Sequence, residues 1–243
     1  MGSYNAYVID NEIYVSVSTI LAQEGAPALV PWALRKFGNQ EPSAMQAYDA
    51  FMKDVSAQGT LIHKFIEHDL KGLEFPENEI TPALVPVVEN YYKFKAENKI
   101  EMLESEVQCH SKKYRIAGTC DFVGRVNGEL YIVDFKTGSV QDKALSQLAA
   151  YKSFLIEMGR DDLKDAKLAI LNLHRDGEKV QFVTNESLFG DRVDDNDHLR
   201  LFHALRFVWY IRNVKSRKWQ PVIKNWQDLI SPLEAKFMKA FKF

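Results

Sequence analysis

Asp134 and Lys136 stand two residues apart at the end of an apolar run, Tyr131-Ile132-Val133, and Asp121 lies upstream in a second strand-like segment. Two carboxylates and an ammonium are the parts of a metal-assisted hydrolase. Carboxylate oxygens suit hard divalent ions such as Mg²⁺ or Mn²⁺. A nearby lysine can hold the attacking hydroxide or stabilise charge building on a phosphoryl group. A metal plus a lysine beside a phosphodiester is thus a workable hydrolytic centre. Taken alone, an acid and a lysine two apart on a strand are more often a solvated edge. The apolar run before them and the second aspartate favour the catalytic reading.

What positions these residues is a turn. Val126-Asn127-Gly128-Glu129 places Asn-Gly between two β-rich runs, which favours a two-residue type I′ hairpin because both central residues take positive φ. With that loop, Val126 faces Glu129, Arg125 faces Leu130, Val123 faces Ile132, and Asp121 faces Asp134. Opposite side chains have Cβ atoms about 4.5–5.5 Å apart, and like charges there repel, so a cation or a shared proton is required. A single β-bulge would move this register by one residue. Lys136 falls on the face of Asp134, while Phe135 points into the core.

The surrounding elements follow from periodicity. Tyr7–Ile9 and Ile13–Val17 read as short strands, and Ser18 as the cap of a helix beginning at Thr19. Pro31–Gly38 reads as a short helix, residues 43–70 as a long one, and Pro82 as the opening of a third that ends near Asn98. Met102–His110, Tyr114–Val126 and Leu130–Lys136 read as strands, and Lys143–Met158 as a helix. Leu168–Leu173 and Val180–Val183 are strands; His198–Val214 and Pro232–Phe241 close the chain as helices. The layout is α/β with one central mixed sheet flanked by helices. It reads as a single domain over 1–243, with a core at about 43–185 and appendages on both sides.

Of the 243 residues, 46% are hydrophobic and 26% charged, as in an ordinary globular domain with a sizeable core. The formal net charge of −2 leaves a nucleic-acid partner to local basic patches. Lys112, Lys113 and Arg115 form one basic run, and Lys215, Arg217 and Lys218 another. Tyr91, Tyr92, Phe94, Trp32 and Trp219 are aromatics that could stack on bases, although short lysine runs are usually solvated and such aromatics usually core. The two cysteines, Cys109 and Cys120, are too few for an iron–sulfur cluster or a four-thiolate zinc site and suit a reducing, intracellular compartment. No apolar run approaches a membrane span, and no secretory signal is visible. Cytoplasmic localisation on DNA is the expectation.

Ala117-Gly118-Thr119-Cys120-Asp121 followed by Tyr131-Ile132-Val133-Asp134-Phe135-Lys136-Thr137-Gly138 resembles the PD-(D/E)XK nuclease superfamily. Gly59-Thr60-Leu61-Ile62-His63 upstream and Gln147-Leu148-Ala149-Ala150-Tyr151 downstream narrow the likeness to the RecB-type exonuclease branch. Ser16–Leu21 and Leu103–Gln108 are similar to segments of the mitochondrial genome-maintenance exonucleases and their phage-type relatives. Each motif is weak alone; the ordered set is strong. The resemblance covers about 15–215.

It implies a restriction-endonuclease-like fold and a Mg²⁺- or Mn²⁺-dependent DNA exonuclease acting on single strands or free ends in replication, recombination or repair. It also implies roles. Asp121 and Asp134 bind the metal, with Phe135 contributing its backbone carbonyl and His63 completing the sphere or contacting a phosphate. Lys136 is the catalytic lysine. Gln147 and Tyr151, one helical turn apart, steady the site or the DNA. Glu104 or Glu106 is a further acidic member, and Glu104 is taken as the candidate.

Overall fold

A computed structural model describes residues 6–25, 35–36, 44–138, 143–175, 178–227 and 229. Its strands are β1 (Ala6–Ile9), β2 (Glu12–Ser16), β3 (Ile100–Ser111), β4 (Ile116–Val126), β5 (Glu129–Lys136), β6 (Lys167–Asn172) and β7 (Gln181–Thr184). The helices are α1 (Val17–Leu21), α2 (Ala44–Leu70), α3 (Val85–Glu97), α4 (Lys143–Glu157), α5 (Asn185–Phe189), α6 (Asp195–Asn213) and α7 (Gln220–Gln227). The helices read at Pro31–Gly38, apart from residues 35–36, and at Pro232–Phe241 lie outside the described residues.

The strands form one mixed sheet in the order β1-β2-β4-β5-β6-β7, with β3 also paired to β4. Strand β3 runs antiparallel along β4 from Ser111↔Ile116 to Ile100↔Val126, so it occupies one whole edge of that strand. The other edge is shared. β2 pairs there in parallel at Ile116 and Ala117, and β5 pairs antiparallel at Phe122–Val126. Among the described residues no strand therefore lies beside Gly118–Asp121 on that edge, and this break in the sheet is where the charged residues gather.

The period-2 alternation of the strands divides two cores. Tyr131, Val133 and Phe135 of β5, with Phe122 and Val126 of β4 and Ala169 and Leu171 of β6, pack under Ile62, Phe65 and Ile66 of α2 and Tyr91 and Phe94 of α3. Ile132, Val123, Leu168 and Ile170 face the opposite layer, which contains Leu148 and Phe154 of α4, Phe202 and Trp209 of α6 and Trp226 of α7. By the same alternation Asp134 and Lys136 lie on the α4 side.

The sequence reading is corrected at one cap and extended by one helix. Ser16, not Ser18, caps α1: its φ/ψ of −72°/148° is still extended and its hydroxyl accepts from the Thr19 N–H at 3.1 Å, while Ser18 is already helical. Val15, Val17 and Ile20 and the tryptophans at 209, 219 and 226 also join the α4 core. Finally, α7 was not anticipated. Trp219, Val222, Ile223 and Trp226, all buried, have the i, i+3, i+4, i+7 spacing that marks it.

Candidate active site

The Asn-Gly turn forms as its residues demand, with φ of 54° at Asn127 and 88° at Gly128. From it the register runs Val126↔Glu129, Arg125↔Leu130, Val123↔Ile132 and Phe122↔Val133, as counted from the sequence. The ladder ends one residue before Asp121 and Asp134. Instead of pairing by backbone, Asp121 turns its carboxylate onto β5, where Oδ2 accepts from the Phe135 N–H at 2.8 Å. That bond fixes the carboxylate and leaves Oδ1 free to face α2.

His63, on α2, meets it there. Its Nδ1 lies 3.5 Å from Asp121 Oδ1 and 3.9 Å from Glu106 Oε1. Its Nε2 is 3.1 Å from the Phe135 carbonyl. A carbonyl only accepts, so Nε2 carries the hydrogen, and in the neutral ring the Nδ1 lone pair points at the two carboxylates. Phe135 thus serves the centre through both backbone groups, its N–H orienting Asp121 and its oxygen orienting His63. Burial would lower the His63 pKa, but its contact with Asp121 and the charges of Asp121 and Asp134 outweigh this and lift it to about 9.

Glu106, not Glu104, is the acidic residue brought to the centre. Glu104 is ion-paired with Arg160. The strand around them is irregular: the register shifts just before Glu104, after Met102, and Glu106 has φ 50°, which is strained for a non-glycine residue. Ser105↔Phe122 and Val107↔Cys120 place Glu106 across from Asp121. Burial and the Asp121 charge raise its pKa. The bulge rests on Gly124, where a Cβ would come within 2.4 Å of the Glu101 carbonyl oxygen. Two glutamates two residues apart share a face of a regular strand, so spacing cannot tell them apart; the positive φ at Glu106 does.

His63, Glu106 and Asp121 each offer a ligand atom within 4.8 Å of the others. Six ligands held about 2.1 Å from a divalent ion are separated by about 2.9–4.2 Å, so the 3.5 and 3.9 Å separations at Nδ1 fit one.

Asp134 is 2% exposed. Its Oδ2 is ion-paired with Lys136 Nζ at 2.6 Å, and no other group among the described residues satisfies that oxygen. That single partner leaves the oxygen with acceptor capacity unused. A buried carboxylate oxygen in that state is what a cation or substrate group would satisfy. Burial raises the Asp134 pKa, opposed by Lys136 and reinforced by Asp121. For Lys136 burial works the other way, but Asp134 outweighs it and keeps the ammonium charged.

On the α4 side, Gln147 Nε2 donates to the Tyr151 hydroxyl at 2.9 Å. Tyr151 packs against the open edge of β4, and a Cβ on Gly118 would fall 2.3 Å from its ring, so the glycine of the Gly-x-x-Asp segment makes room for this tyrosine. Gly59 lies one turn before His63, and a Cβ there would meet nothing within 4 Å. Several base-stacking candidates are excluded by burial: Tyr91, Phe94 and Trp219 are core residues. Trp32 lies outside the described residues.

No curated protein matches the chain. Residues 29–225 match the family model of the PD-(D/E)XK nuclease superfamily. That span takes in α2, the β3–β5 hairpins and α4, and the mixed sheet with helices on both faces agrees with the restriction-endonuclease-like fold. On this match over most of its length, the chain belongs to the PD-(D/E)XK nuclease superfamily.

Proposed function

We propose that this chain is a divalent-metal-dependent DNA exonuclease of the RecB-type branch, acting on single strands or free ends in DNA replication, recombination or repair inside the cell, with the chain as one nuclease domain. The observation that carries this reading is the meeting of His63, Glu106 and Asp121 at the break in the sheet, beside Lys136 and the buried Asp134 it pairs with. A Mg²⁺ or Mn²⁺ ion held by His63, Glu106 and Asp121 would supply Lewis-acid polarisation of a phosphoryl oxygen; an imidazole nitrogen among the ligands favours Mn²⁺ of the two. The chain's own groups do the rest. Phe135 holds Asp121 and His63 in their working orientation through its peptide. Lys136 presents a charged ammonium to the phosphate under attack, and Asp134 keeps that ammonium charged and in place. Water is the nucleophile, so hydrolysis leaves no covalent enzyme intermediate. Gln147 and Tyr151 brace the open edge of β4.

The test is purified protein with end-labelled single- and double-stranded DNA and with a closed circle, in Mg²⁺, Mn²⁺ or EDTA. Progressive shortening of linear strands with metal, and an intact circle, is the expected result. Cutting of the circle would replace exonuclease with endonuclease. DNA retention without cleavage in any metal would replace the enzyme with a binding module.

A further inference from the structure

Arg175 lies just past β6, and the hydrolytic arrangement above makes no use of it. The parallel β5–β6 ladder runs to Lys136↔Asn172 and is extended by the Leu173 N–H donating to the Lys136 carbonyl at 2.8 Å. The backbone then turns through His174 at φ 38°, a left-handed conformation that non-glycine residues adopt mainly where the surroundings impose it. The turn brings Arg175 back over the end of β5. Its Nε donates to Thr137 Oγ1 at 2.9 Å, and its Nη2 donates to the Val55 carbonyl at 3.1 Å. Thr137 is the residue after Lys136. Val55 precedes His63 on α2 by about two turns, roughly 12 Å. The guanidinium therefore hangs between the two elements that carry the ammonium and the imidazole of the active site.

Both of its acceptors are neutral. Among the described residues its hydrogen bonds and ion pairs end with these two, which use two of five N–H donors. The side chain is half-buried. Burial lowers its pKa, against the charge of Asp54, but an arginine stays protonated in a protein. A partly desolvated cation with unused donors, and with no carboxylate hydrogen-bonded to it among the described residues, is costly by itself. A planar fork of this kind pairs best with a carboxylate or a phosphate. At the mouth of a nuclease site, the anion supplied is the nucleic-acid backbone.

We propose that Arg175, positioned by Thr137, binds the DNA phosphate next to the one under attack at Lys136. This inference rests on the nuclease reading given above. The test uses the full chain, as parent, Arg175→Ala and Arg175→Lys, and DNA strands in which one phosphate at a time is replaced by a neutral methylphosphonate. With the parent, neutralising one phosphate beside the scissile one lowers kcat/KM by about 10–100-fold, the size expected for hydrogen bonds to a charged group. Arg175→Ala loses a similar factor on ordinary DNA and is then indifferent to that replacement, while Arg175→Lys recovers part of the loss on ordinary DNA.

Losses that multiply instead would overturn the proposal and make Arg175 a strut between α2 and β5. So would a variant that cleaves like the parent. If Arg175→Ala does not fold, the same cycle is run with Arg175→Lys, which keeps the charge and loses the fork. A parent that cleaves no DNA in Mg²⁺ or Mn²⁺ removes the nuclease reading and this inference together, a result seen before any variant is made.

Discussion

The two ends of the β4–β5 hairpin are built from the same two strands to opposite standards. At the turn, the polar groups of Asn127 are paired. Its N–H donates to the Lys99 carbonyl at 2.8 Å, its Oδ1 accepts from the Lys99 N–H at 2.9 Å, and its Nδ2 donates to Asn98 Oδ1 at 2.8 Å. At the other end the ladder stops short, three carboxylates converge, and the buried Asp134 Oδ2 has Lys136 as its one partner among the described residues. The difference separates two uses of structure. The turn end stabilises the fold, whereas the open end holds three carboxylates together against only His63 and Lys136, an arrangement that a bound cation would complete. Substitutions at the open end should therefore cost activity far more than stability, and those at the turn the reverse.

The largest effect tests the open end directly. Lys136→Ala, and Asp121→Asn as an isosteric change that still accepts from the Phe135 N–H, should each lower the DNA cleavage rate by about 10²–10⁴-fold with little change in thermal midpoint. Cleavage at the parent rate by Lys136→Ala would remove the site from this end of the hairpin.

Gly118→Ala probes the boundary between the two ends. A Cβ would sit 2.3 Å from Tyr151 Cε1, and a buried ring has little room to yield. Overpacking of this kind costs about 1–3 kcal/mol, measurable by urea unfolding. Activity should fall as well, because Tyr151 and Gln147 move with the ring. Unchanged stability would mean that the tyrosine relaxes freely and braces nothing.

The turn end was legible because its signal is local: Asn127-Gly128 needs only its own φ preferences, and counting outward from it puts Asp121 beside Asp134. Lys136 and Phe135 followed from the two-residue period. Glu106 did not, because its place depends on a bulge at residue 103 that Gly124 admits by letting two backbones approach, and no periodicity within β3 reports a contact with β4. The break between β2 and β5 was hidden for the same reason, since parallel pairing of Val15 and Ser16 with β4 is a long-range event. The apolar partners on α6 and α7 were visible as a pattern only once Trp219, Val222, Ile223 and Trp226 are read as one stripe.

A smaller effect turns on protons at the open end. In metal-free protein the His63 pKa rises from 6.5 to about 9, so the folded state binds the proton more tightly than the unfolded chain. The resulting stability is complete below pH 6.5 and is lost as the pH climbs through 9. With the ring 27% exposed, solvent screening leaves about 1–2 kcal/mol. Urea midpoints in EDTA should fall across that window for the parent and stay flatter for His63→Ala. Saturating Mn²⁺ should reverse the trend, because an ion takes the deprotonated ring. A parent curve that is flat in both conditions would separate His63 from Asp121.

The smallest effect belongs to the turn. Asn127→Gly keeps a residue at ease with φ 54° and deletes the two side-chain bonds to the segment before β3. Exposed hydrogen bonds of this kind contribute about 0.5–1 kcal/mol in total, and the cleavage rate should stay within about twofold of the parent, given ordinary surface tolerance. The change lies six residues along β4 from Asp121, about 20 Å, with the Phe122–Val126 ladder between them. A loss of cleavage out of proportion to the loss of stability would show that the register of that ladder, rather than the local bond from Phe135, holds Asp121 in place. The two ends would then be one device, and the contrast between them would be a matter of polarity alone.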